Sequence, residues 1–102
     1  MVLEIAWIRD RVMEGEYYVS KHGDQERQNE NLTIDEVEAA LLNGRILEHY
    51  PDTGRGESCL VVGFTETGVP IHAVCGRRGD MAVVITVYVP KAPKFRTPYE
   101  RG

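Results

Sequence analysis

What this chain lacks narrows its roles before any motif is read. It has only two cysteines, Cys59 and Cys75, too few for a disulfide scaffold, and in a reducing compartment they are expected to remain thiols. No apolar run is long enough to span a membrane. The N-terminal stretch MVLEIAWIRDRVME carries charges throughout, where a signal peptide would be uninterrupted and apolar. A cytoplasmic protein without membrane contact is therefore expected. There is no CxxC or HxxxH spacing to hold zinc, so neither a metal nor another cofactor is expected. No nucleophile elbow is present, and the glycines match no phosphate-binding loop. Overall basicity, the usual footprint of nucleic-acid binding, is missing too, since the formal net charge is −4.

That charge is unevenly spread. Residues 1–58 hold 13 acidic and 6 basic side chains, whereas 59–102 hold 3 acidic and 6 basic. An acidic helical half and a mildly basic sheet half would suit a basic partner on one side and phosphate on the other, or an ordinary solvated surface. With 102 residues, 42% of them hydrophobic, the chain can build one domain around one core. The core is expected over about residues 3–89, followed by an irregular basic tail over 90–102.

Leu3, Ile5, Ile8 and Val12 recur near helical spacing, and Gly15 follows where a helix ends. Tyr17 to Val19 reads as a brief extended link. Ser20 can then cap a second helix through His22, Glu26 and Asn29 that has almost no apolar face, so it either lies on the surface or uses its polar groups. The third helix has the clearest signals, with Thr33 as N-cap, Glu36 three residues on, and Val37, Ala40 and Leu41 as a buried stripe up to Asn43-Gly44. Strands are expected at about 46–50, 58–65, 69–76 and 81–89. The fold class is α+β, with about three N-terminal helices packed on a four-stranded antiparallel sheet.

The register of that sheet can be argued. If Glu66-Thr67-Gly68 is a three-residue hairpin loop with Gly68 left-handed, Thr65 faces Val69 and Cys59 faces Cys75. Alternation then puts Cys59, Val61, Ile71, Ala73 and Cys75 on one face and Leu60, Val62, Phe64, His72 and Val74 on the other. Carried into the last strand with parity kept, Met81, Val83, Ile85, Val87 and Val89 join the cysteines, while Thr86 and Tyr88 join His72. The cysteine face is uniformly apolar and is expected under the third helix. The mixed face is where a site could form, unless the first helix covers it. A slip of one residue would undo the partition.

His22, in the first turn of its helix, is either a neutral general base or a structural hydrogen-bonding group. Arg27 could stabilise developing negative charge, but five residues at about 100° each place it roughly 140° around the helix from His22. Either the helix breaks between them, or Arg27 forms a structural ion pair with acidic residues of the second or third helix.

The SxHxxxxR stretch (Ser20, His22, Arg27), LTIDEVEAALLNGRILEHYP from Leu32 to Pro51, RGESCLVVGF from Arg55 to Phe64, PIHAVCG from Pro70 to Gly76 and VITVYVP from Val84 to Pro90 together resemble the bacterial domain-of-unknown-function family 4258. More distantly, that family resembles RelE-like and BrnT-like toxin nucleases, whose helices precede a twisted antiparallel sheet with an RNA-cleaving face. The resemblance implies His22, Arg27, His72, Thr86 and Tyr88 as catalytic residues; Arg55, Arg77 and Arg78 are the basic residues expected to bind substrate. It also implies RNA as substrate and an antitoxin as partner. The expected activity is endoribonucleolytic without a metal. The competing expectation is a non-catalytic module that binds a protein or forms a homodimer.

Overall fold

The computed structural model describes residues 3–52, 54, 56–91 and 95–101. Three helices are present among them, α1 (Ile5–Met13), α2 (Lys21–Asn29) and α3 (Ile34–Asn43), with strands β1 (Tyr17–Val19), β2 (Arg45–Tyr50), β3 (Ser58–Phe64), β4 (Pro70–Arg78), β5 (Met81–Tyr88), β6 (Phe95–Thr97) and β7 (Glu100–Arg101). The helix ends follow the chemistry of the sequence. The Ser20 hydroxyl accepts from the Gly23 amide, and Thr33 and Glu36 close a reciprocal capping box.

The class is α+β, but the sheet corrects the expected four antiparallel strands. It has five, in the order β1-β5-β4-β3-β2, and it is mixed because β1 runs parallel to β5, pairing Tyr17 with Ala82 and Val19 with Val84. Tyr17 to Val19 is thus a strand rather than a link. Three residues are too few to show alternation, so only tertiary context could reveal it. The tail is not irregular throughout either, since β6 and β7 form a separate two-stranded hairpin.

The β3–β4 hairpin has the expected register. Gly68 has φ of 87°, Thr65 donates its amide to Val69, and Cys59 stands opposite Cys75. Between β4 and β5 the pairing jumps, from Val74 opposite Thr86 to Cys75 opposite Val84, leaving Ile85 as an extra residue. This bulge reverses the parity of the strand before it. Thr86 and Tyr88 stay with His72, and Val87 stays with the cysteines. Val84 replaces Val83 and Ile85 in the cysteine-face core. A Cβ built on Gly76 would lie 3.1 Å from Ile85 Cδ1 and 3.5 Å from Val83 Cγ1, so both point to the opposite side.

Both α1 and α3 pack on the cysteine face. Leu3, Ile8, Val12, Val37 and Leu41 close over Cys59, Val61, Ile71, Cys75 and Val84 in one cluster. Removing such apolar area from water contributes roughly 25 cal/mol per Å². At Gly63 the backbone of α3 comes so near that a Cβ would lie 1.8 Å from the Ala40 carbonyl oxygen. The first helix therefore leaves the His72 face to other elements. Leu60, Val62 and His72 are nevertheless buried there, and the hairpin β6–β7 is linked to that face through Arg45, Glu48, Phe64 and His72.

Candidate functional site

The second sheet face gathers its polar groups in register. Tyr88 of β5 faces His72 of β4, which faces Val62 of β3, which faces Arg45 of β2. One pair along, Thr86, Val74, Leu60 and Glu48 form the next row. His72 is 0% exposed, and both of its ring nitrogens have partners: Nε2 lies 2.6 Å from the Pro98 carbonyl oxygen and Nδ1 lies 3.3 Å from the Tyr88 hydroxyl. A carbonyl can only accept, so Nε2 carries a proton. The two rings are tilted, with centroids 5.3 Å apart. Burial pushes the Tyr88 phenol up from its ordinary value, Arg101 opposes this, and the carboxylates of Glu48 and Glu26 reinforce it.

Beside Tyr88 and His72, Glu48 receives two bonds from Arg101, 2.9 Å from Nε and 2.8 Å from Nη2, and a third from the Tyr50 hydroxyl at 2.7 Å. The Arg101 and Tyr50 bonds hold the Glu48 carboxyl down at about 2. Burial and the bond to Glu48 push Tyr50 up to about 12. Arg45 lies 4.5 Å over the Tyr99 ring and Tyr99 packs against Phe64, so the hairpin carries Arg101 onto this face by side-chain links.

At the edge of the same strand lies α2, and its polarity has a structural cause. The Ser20 hydroxyl donates to the carbonyl of Ile85, the bulged residue, while Glu26 Oε1 and Glu30 Oε1 accept the Val87 and Val89 amides, each at 3.2 Å. These side chains satisfy the outer side of β5, where among the described residues the pairing with β1 ends at Val84. His22, whose side chain is 67% exposed, places Nε2 3.3 Å from the same Glu26 Oε1. Glu26 thus joins an exposed imidazole to the backbone one residue before Tyr88.

Of the expected catalytic residues, His72, Thr86 and Tyr88 share this face, and His22 sits at its rim through Glu26. Arg27 does not join them. It donates to Asp24 from Nε and Nη2 and to the Leu32 carbonyl from Nη1, the structural ion pair of the two alternatives. Arg77 and Arg78 lie at the other end of β4, five and six residues or about 16 and 20 Å from His72 at roughly 3.3 Å per residue. Arg77 lines an open cleft with Asp52, Glu57 and Asp80, donates to the Gly79 carbonyl and lies 5.0 Å over the Trp7 ring. The Arg78 guanidinium donates to the Arg77 carbonyl. Arg55 lies outside the described residues.

Sequence reasoning missed Glu26, Glu48 and Arg101. Glu26 was legible as the i+4 neighbour of His22 on a helix face, and Glu48 by alternation with Tyr50. Nothing local signalled Arg101, which arrives on a hairpin assigned to the irregular tail. Among the described residues no cluster of three or more His, Cys, Asp or Glu could hold a metal ion. No described helix is long and apolar enough to cross a membrane.

Neither the curated proteins nor the solved structures give a match to this chain. One family model does match, over residues 19–89, from the end of β1 to the residue after β5. It takes in Ser20, His22, Glu26, Glu48, His72 and Tyr88, and leaves out α1 and the hairpin that brings Pro98 and Arg101. With most of its length matched, the chain belongs to the family described as Domain of unknown function (DUF4258).

Proposed function

We propose that the chain is an endoribonuclease of toxin type whose reaction takes place on the sheet face bearing Tyr88. The observation that carries this reading is the pairing of the hydroxyl of Tyr88, a half-buried residue, with a fully buried histidine. Proton-transfer groups backed by a second, oriented group are what 2′-hydroxyl attack on a neighbouring phosphate requires. Tyr88 and the exposed His22 are the two groups that exchange protons with RNA, and Arg101, paired with Glu48 on the same face, is the cation that stabilises charge developing on phosphorus. Arg101 takes the role first given to Arg27. Expression of the chain should arrest bacterial growth, and Tyr88→Phe or His22→Ala should relieve the arrest while leaving the protein folded. Normal growth together with intact RNA in vitro overturns the reading.

The other edge of the sheet favours a second reading. The β5 edge is sealed by β1 and α2, whereas among the described strands β2 pairs only with β3. A partner strand, from an inhibiting protein or a second copy of this chain, could add there. Light scattering and pull-down test it, and a monomer that captures nothing counts against it.

A further inference from the structure

Pro98, His72 and Tyr88 form a line running from the C-terminal hairpin through the sheet to its mixed face. The Pro98 carbonyl fixes the proton on Nε2, so in the neutral imidazole Nδ1 is an acceptor, and the hydroxyl 3.3 Å away is the donor that faces it. His72 is 0% exposed and cannot touch a substrate itself, whereas Tyr88 is only half-buried. We propose that these three groups are a proton relay, in which Tyr88 Oη accepts the proton of an RNA 2′-hydroxyl as its own proton passes to His72 Nδ1.

This rests on the endoribonuclease reading and assigns the roles within it. As the 2′-oxygen forms its bond to phosphorus, the P–O5′ bond breaks, and the departing oxygen takes a proton from protonated His22. The products are a 2′,3′-cyclic phosphate and a 5′-hydroxyl. The imidazolium formed at His72 keeps both its N–H groups satisfied, one by the Pro98 carbonyl and one by Tyr88. Burial holds the Tyr88 phenol above its ordinary value, so a free phenolate is not the base, and the proton passes through the hydroxyl in concert. The hairpin is then part of the machinery, because its Pro98 carbonyl orients the imidazole. His72 is a positioning and relay residue, and Tyr88 is the catalytic one.

The test uses the full chain on a defined single-stranded RNA, with nitrogen-15 NMR of the histidine rings alongside. Tyr88→Phe and His72→Gln should each lower kcat by about 10²–10⁴-fold with KM little changed, and the double variant should be no worse than either single one. In the wild type, His72 should show protonated Nε2 and an accepting Nδ1 whose resonance moves in Tyr88→Phe. Losses that multiply in the double variant, or a wild-type His72 protonated on Nδ1 alone, overturn the relay while cleavage itself stands. A wild-type chain that leaves the RNA intact instead overturns the endoribonuclease reading. If His72→Gln fails to fold, the wild-type tautomer and Tyr88→Phe still decide.

Discussion

At Gly63 the missing side chain sets the distance between α3 and the sheet. A methyl group there would overlap the Ala40 carbonyl, a backbone atom that cannot swing aside. Gly63→Ala should therefore cost about 3 kcal/mol, read as a lower urea midpoint at unchanged m-value, and a loss near zero would show that α3 can lift freely. The two thiols make a second prediction. Burial, with Glu57 adding to it, pushes Cys59 up to about 12, and burial raises Cys75 as well. Neither should react with a thiol reagent at pH 8 in the folded chain, and both should react after unfolding. Rapid native labelling of either would contradict their placement under the helices.

Two peripheral elements fit themselves to the sheet by polar groups. α2 seals the β5 edge with carboxylates, so Glu26→Ala and Glu30→Ala should each cost about 1 kcal/mol and speed hydrogen exchange at Val87 and Val89 respectively. Unchanged exchange at those amides would remove α2 from that role. The C-terminal hairpin is attached through Glu48 and Arg101. Because Glu48 drops from an ordinary 4.5 to about 2 on folding, its contribution is fully present above pH 4.5 and disappears as pH falls toward 2. Amides of residues 95–97 and 99–101 should lose protection across that window and keep it from pH 5 to 7, and protection that persists at pH 2 would contradict the link. Neither attachment was legible in the sequence. The capping signals at Ser20 and Thr33 located the helices, and the turn at Gly68 fixed the β3–β4 register. The bulge at Ile85 leaves no mark on an alternating run of Val, Ile and Thr, and it changed which valines reach the core.

Across the whole molecule the two sheet faces divide the work. Helices α1 and α3 bury the cysteine face, while the other face is covered by a hairpin tied down by a few side-chain links and leaves Tyr88 half-buried. Alternation alone placed His72, Thr86 and Tyr88 together, since they lie on the far side of the bulge from the residues it displaced. It could not bring in Arg101 or Pro98, because a contact between residues 72 and 98 has no local signature. Nor could it show that His72 is sealed from solvent, which turns a candidate catalytic group into one that acts through its neighbour. The most direct measurement is cleavage of a defined single-stranded RNA by the purified chain, with wild type beside Tyr88→Phe at matched thermal stability. We expect wild-type products ending in 2′,3′-cyclic phosphate and a loss of about 10²–10⁴-fold in the variant; intact RNA with the wild type, or equal cleavage by both, would contradict a reaction on the Tyr88 face.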